Sequence, residues 1–122
     1  MKNALLVDDS PTILLSISGV LTKAGYAVKT AAAGAEALSM LAAGLKPSVI
    51  ITDLNMPNMD GIELIRQARA APGCRFLPML MLTTESRTDR RAEAKAAGAT
   101  GWLVKPVQPA ELVAVLDRVI PA

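Results

Sequence analysis

Two rhythms of apolar residues alternate along this chain of 122 residues: short runs of branched or leucine-rich positions, and longer stretches at helical spacing. Ala4 to Val7 reads as a buried strand that ends at Asp8 and Asp9. Ser10 then offers an N-cap oxygen and Pro11 a helix-compatible first position. Ile13, Leu14, Ile17, Val20, Leu21 and Ala24 follow at helical spacing until Gly25 closes the helix. Tyr26 to Ala31 alternates as a strand, and Ala35 to Ala43 predicts a short helix ended by Gly44 and Pro47. Val49, Ile50 and Ile51 form a third strand that stops at Asp53, and a turn-rich loop carrying Asn55, Pro57, Asn58, Asp60 and Gly61 leads to a helix beginning at Ile62. That helix stops before Pro72 and Gly73. Leu77 to Leu82 is a fourth strand ending at Thr83, and Trp102 to Val104 a fifth ending at Lys105. Pro109 opens a last helix with Leu112, Val113, Leu116, Val119 and Ile120 on one face.

Strand and helix in regular succession predict one α/β domain over 1–122: a doubly wound, five-stranded parallel sheet with five helices on its two faces and right-handed crossovers. In such sheets the functional crevice lies beyond the carboxyl ends of the strands. Asp8, Asp9, Asp53, Thr83 and Lys105 all fall there.

Three carboxylates held close repel one another, and one lysine does not balance them. A divalent cation does. The chain has no histidine and one cysteine, Cys74, distant in sequence from these strand ends, so the ligands are all oxygen. That favours Mg²⁺, or Mn²⁺, over zinc. Asp8 and Asp9 would hold the metal, while Asp53 is placed as a nucleophile toward phosphorus. The Thr83 hydroxyl and Lys105 ammonium complete a pocket for anionic oxygens.

Composition narrows the partners. Phe76, Tyr26 and Trp102 are the only aromatic residues and the net charge is +2, so neither base stacking nor phosphate-backbone binding is expected. The first apolar run is too short for a signal sequence, and no stretch approaches a membrane span, which predicts a cytoplasmic protein that binds neither nucleic acid nor membrane. Cys74 is expected to be a packed, unreactive thiol.

Nearly end to end, the chain resembles the receiver domains of two-component response regulators, most closely the single-domain chemotaxis (CheY-like) type. The resemblance rests on Leu-Val-Asp-Asp-Ser at 6–10, Asp-Leu-Asn-Met-Pro-Asn-Met-Asp-Gly at 53–61, Leu-Thr-Thr-Glu at 82–85, Ala-Gly-Ala-Thr-Gly-Trp at 97–102 and Val-Lys-Pro at 104–106. It implies a flavodoxin-like strand order of 2-1-3-4-5. It also implies that Asp53 is the phosphorylation site, that Asp9 binds Mg²⁺ directly with Asp8 acting through water, and that the Asn55 backbone carbonyl is a further ligand. Thr83 and Lys105 would contact the phosphoryl oxygens. The implied donor is a phosphohistidine on a sensor histidine kinase. A cis Lys105-Pro106 peptide is expected, as is a switch in which Thr83 moves toward the phosphoryl group and Trp102 turns inward. At that aromatic position the family more often has Tyr or Phe, and the larger indole with its N–H donor puts complete burial in question.

Thr84 is a second departure, because a smaller residue is common there. Asn55 and Glu85 are the residue types of short-lived chemotaxis receivers, which predicts self-dephosphorylation in seconds to minutes. Between Ser86 and Ala97 there is no Leu, Ile, Val, Met or aromatic residue, so the fourth helix should dock weakly. Arg87, Arg91 and Lys95 lie four apart on it with Arg90 beside them, and this basic stripe, next to the fifth strand and the last helix, suits an acidic partner.

The chain stops at Ala122, directly after the last helix, so a stand-alone, monomeric regulator is expected, signalling by association with a downstream protein such as a flagellar motor switch component. It is expected not to be an enzyme beyond assisting its own phosphorylation and dephosphorylation. Two other readings stay open: an Asp-nucleophile phosphatase, which would want an acid where Asn55 stands, and an inert pseudo-receiver, which would lack the acceptor or the metal pair.

Overall fold

A computed structural model describes residues 2–121. Strands and helices alternate as β1 (Asn3–Val7), α1 (Pro11–Lys23), β2 (Ala27–Ala31), α2 (Gly34–Ala42), β3 (Val49–Thr52), α3 (Gly61–Ala70), β4 (Met79–Thr83), α4 (Thr88–Ala97), β5 (Gly101–Val104) and α5 (Pro109–Val119). The five strands pair in parallel in the order β2-β1-β3-β4-β5. The expected doubly wound sheet is therefore present.

Alternation along the strands divides the interior in two. Leu5, Val7, Ile50, Met79 and Met81 point to one face and pack with Ala37 of α2, with Ile62 and Ile65 of α3 and with Ala94 of α4. Leu6, Ile51, Leu80, Leu82 and Leu103 point to the other, against Ile17 and Leu21 of α1 and Leu112 and Leu116 of α5. β1, β3 and β4 are covered on both sides, which is why their sequences run almost without polar residues.

Two strands start later than expected, β2 and β4, while β1 and β5 each start one residue earlier. Tyr26 lies in the turn that closes α1, because Gly25 (φ 98°) takes the left-handed conformation and the Tyr26 N–H donates back to the Leu21 carbonyl at 3.0 Å. Leu77 and Pro78 precede β4. The Leu77 N–H is turned to the Cys74 carbonyl at 3.3 Å and Pro78 has no N–H to give. Cys74 is a buried free thiol, as the packing reading expects.

Helix α4 buries only Ala94, in keeping with its sequence. Of the expected basic stripe, however, Arg87 and the neighbouring Arg90 are paired with acids, while Arg91 and Lys95 form no ion pair among the described residues. Arg87 pairs with Asp89 at 2.6 Å, and Arg90 with both Asp60 (3.0 Å) and Glu93 (2.8 Å). Acids at 60, 89 and 93 lie within reach of these two guanidinium groups, so repulsion is relieved at Arg87 and Arg90 and persists only between Arg91 and Lys95, four residues apart.

Candidate functional site

The acids, the threonine and the lysine proposed to function lie where strands end, where the backbone leaves the apolar sheet and a polar side chain is tolerated. β1 delivers Asp8 and Asp9, β3 delivers Asp53, β4 ends on Thr83, and β5 is followed by Lys105. Backbone hydrogen bonds fix these exits across the sheet: Asp8 N to Ala31 O at 3.1 Å, Asp53 N to Val7 O at 3.0 Å and Lys105 N to Thr83 O at 2.8 Å.

One carboxylate oxygen from each of Asp8, Asp9 and Asp53 lies within 4.8 Å of the others. Their environments differ. Asp8 is buried at 2% exposure, Asp53 is half-buried and Asp9 is open to solvent. Asp8 tolerates burial because both its oxygens are occupied, Oδ1 by the Ser10 N–H at 2.9 Å and Oδ2 by the Lys105 ammonium at 2.8 Å. Lys105 Nζ also lies 3.7 Å from Asp53 Oδ2, so one ammonium bridges the acids following β1 and β3. Asp53 Oδ1 accepts from the Leu54 N–H at 2.8 Å, which orients the carboxylate. The Lys105-Pro106 peptide is cis, as the resemblance implied.

Thr83 is fully buried, and its Oγ1 accepts from the Glu85 N–H at 3.3 Å. Asn55 sits exposed in the loop after Asp53. Glu85 turns to the start of α4, where its Oε1 accepts from the Arg87 N–H at 3.1 Å. Trp102 is half-buried, and its indole N–H donates to the Glu85 carbonyl at 3.0 Å. The donor nitrogen that put full burial in question is thus satisfied between β5 and the segment after β4. Thr84 is exposed and lines a cleft with Lys105, Pro106 and Ile13.

Two site residues carry more than their sequence signals reveal. Gly61 reads as turn punctuation, yet a Cβ there would stand 2.2 Å from the Asp53 carbonyl oxygen, so the loop after β3 closes only over glycine. Asp60 reads as turn chemistry as well. It caps α3 through Oδ1 to the Glu63 N–H at 2.8 Å and pairs through Oδ2 with Arg90 of α4. The Asp-Gly pair before an apolar-periodic helix was the available signal for the cap; the partner on α4 had none.

A parallel sheet of this order, with acids and a lysine gathered at its carboxyl edge, defines a signalling receiver. The chain belongs to the response regulator receiver domain family, which matches residues 4–117. It is 38% identical over 117 residues to chemotaxis protein CheY1 of Helicobacter pylori strain J99, covering 95% of this chain and 94% of that protein. Chemotaxis protein CheY-3 of Vibrio cholerae is 37% identical over 116 residues, covering 94% of this chain and 88% of that one. The solved structure of V. cholerae chemotaxis protein CheY4 superposes with a TM-score of 0.93 at 48% identity, over 98% of this chain and 99% of the other. The receiver domain of a sensor histidine kinase from Pseudomonas aeruginosa PAO1, solved with magnesium coordinated in its active site cleft, superposes at 0.90 with 31% identity, over 99% and 98% of the two chains. This is a CheY-like receiver. Among the described residues, no helix is long and apolar enough to cross a membrane.

Proposed function

We propose that the protein is a response regulator that accepts a phosphoryl group on Asp53 from a sensor histidine kinase and passes the signal to a partner protein. The observation that carries this reading is the Lys105 ammonium shared by Asp8 and Asp53 beside a third carboxylate, Asp9. One positive charge against three acids leaves the cluster negative, and every donor in it is oxygen, a set that fits Mg²⁺. Asp8, Asp9, Asp53 and the Asn55 carbonyl would hold the ion, and when bound it supplies the charge that lets phosphoryl oxygens approach these acids.

In the transfer itself, an Asp53 carboxylate oxygen forms a bond to phosphorus as the P–N bond of the donor's phosphohistidine breaks. The departing imidazole takes a proton and leaves as neutral histidine. Lys105 neutralises the phosphoryl oxygens, and the Thr83 hydroxyl, which now accepts from Glu85, has its own proton free to donate to them. Water later cleaves the acyl phosphate, with Asn55 and Glu85 setting a lifetime of seconds to minutes. Asn55 disfavours the alternative of a haloacid-dehalogenase-type phosphatase, which would want a second acid at that position.

The output face is that of α4, β5 and α5. A groove of about 500 Å³ runs between α4 and β5, lined by Arg91, Lys95 and Trp102, with the Arg91 guanidinium 6.0 Å from the indole ring. Arg91 and Lys95, unlike Arg87 and Arg90, form no ion pair among the described residues, so they remain to meet an acidic partner. The relatives are chemotaxis proteins, which supports chemotaxis as the pathway; in this reading the protein acts as a cytoplasmic monomer on a flagellar motor component.

The test is Mg²⁺-dependent labelling of Asp53 by a small phosphodonor such as acetyl phosphate. Labelling is expected to vanish in Asp53→Asn and with a chelator; labelling that survives either would reject the reading. Arg91→Glu with Lys95→Glu should weaken partner capture by the beryllofluoride-treated protein and leave labelling intact.

A further inference from the structure

Apolar packing does little to fix α4, since Ala94 alone of its residues is buried. Polar tethers do this work at both ends. Near the C-terminal end, Arg69 of α3 donates from Nε and Nη2 to the Gly98 carbonyl at 3.1 and 2.7 Å. Near the N-terminal end, Arg90 donates to Asp60 Oδ2 at 3.0 Å while its other nitrogen reaches Glu93 at 2.8 Å.

The second tether lands on the loop that carries Asp53. Asp60 adjoins Gly61, whose N–H donates to the Leu54 carbonyl at 2.9 Å and whose Cα packs against the Asp53 carbonyl. A single carboxylate therefore caps α3, borders the phosphoacceptor loop and holds α4. The Arg90 side chain is 25% exposed and that of Asp60 39%, so water screens the pair in part and its coupling is a modest one.

We propose that Arg90 is a positioning residue of the phosphoacceptor site: through Asp60 it couples the loop behind Asp53 to α4 and holds both in the unphosphorylated arrangement. The inference rests on the phosphoacceptor reading above. A phosphoryl group adds bulk and charge to a side chain whose backbone is packed against the Asp60-Gly61 step. Displacement of that step strains the Asp60–Arg90 pair, and α4, with little buried area, offers small resistance once the pair opens. Opening it beforehand lowers the cost of the phosphorylated arrangement.

Asp60→Asn tests this with the cap retained, since asparagine also accepts from the Glu63 N–H. Arg90→Met removes the charge and keeps the stem, and Arg90→Lys restores charge. Beryllofluoride with Mg²⁺, followed by fluorescence of the single tryptophan, Trp102, should bind about two- to fivefold more tightly to Asp60→Asn and to Arg90→Met. The double variant should gain no more than either single one, and Arg90→Lys should fall back toward wild type. In the protein without additives, hydrogen exchange at the α4 amides should rise in both single variants. Unchanged exchange would overturn the tether, and raised exchange with unchanged or weaker beryllofluoride binding would overturn the coupling. If wild type itself fails to bind beryllofluoride, the phosphoacceptor reading and the coupling fall together, while exchange still decides the tether.

Discussion

Gly61 and Asp53 are in backbone contact: a Cβ on Gly61 would lie 2.2 Å from the Asp53 carbonyl oxygen and 2.9 Å from the Met81 sulfur. No rotamer change relieves a clash with a main-chain oxygen, so any side chain at 61 must displace the loop that carries Asp53. Gly61→Ala is expected to cost about 2–4 kcal/mol of stability and to slow Asp53 labelling even at temperatures where it stays folded. Denaturant unfolding beside a labelling time course checks both; wild-type rates in a folded variant would show that the loop's placement does not matter.

Lys105 occupies the same electrostatic ground that a divalent ion would. With its ammonium 2.8 Å from Asp8, it already satisfies part of the demand for positive charge. Lys105→Met is therefore expected to tighten Mg²⁺ binding while slowing phosphoryl transfer by about tenfold or more, since the phosphoryl oxygens lose their fixed cation. Calorimetric titration with Mg²⁺ and acetyl phosphate kinetics should move in opposite directions.

Arg69 gathers loose ends of chain. Its guanidinium donates to the carbonyls of Gly98, Cys74, Arg75 and Leu77, joining the segments that follow α3 and α4. Burial lowers its pKa, yet it stays cationic because an arginine starts so far above neutrality. Arg69→Met should cost about 1–3 kcal/mol, visible as a fall in Tm, because several carbonyls lose their donor at once. An unchanged Tm would show that water replaces the side chain at no cost.

Tyr26 is buried at 6% exposure, and its hydroxyl has no hydrogen-bond partner among the described residues. Burial, and then the nearby Asp117 carboxylate, push its pKa above the ordinary 10.0. A raised pKa means that the folded chain holds the proton more tightly than the unfolded one. This contribution is fully present below about pH 10 and is lost as pH rises through the folded value. Tyr26→Phe should be as stable as wild type or more so near neutrality, and should lose less stability above that pH. Absorbance of the only tyrosine follows the titration directly.

Much was legible from the residues in order. Apolar runs broken by Asp8, Asp53, Thr83 and Lys105 gave the alternation of strands and helices and marked the edge where the site lies, since a charged side chain cannot follow a buried strand except at its exit. The motif set around the same residues gave the family. The strand order came with that resemblance, because local periodicity says nothing about which strands neighbour one another.

Tertiary structure alone decided the long-range pairings. That Lys105 leans closest to Asp8 across 97 positions, that Arg90 crosses to Asp60, and that Gly61 must be bare because the Asp53 carbonyl passes over it are facts about approach in space. The sequence also suggested a repelling basic stripe on α4, where the fold instead supplies acids to Arg87 and Arg90 and leaves Arg91 and Lys95 uncovered. Burial pattern and strand exits are set by each segment's own preference for water or oil, so they can be read one segment at a time. Charge pairing depends on which segments meet, and that is settled only when the sheet and its helices close on one another.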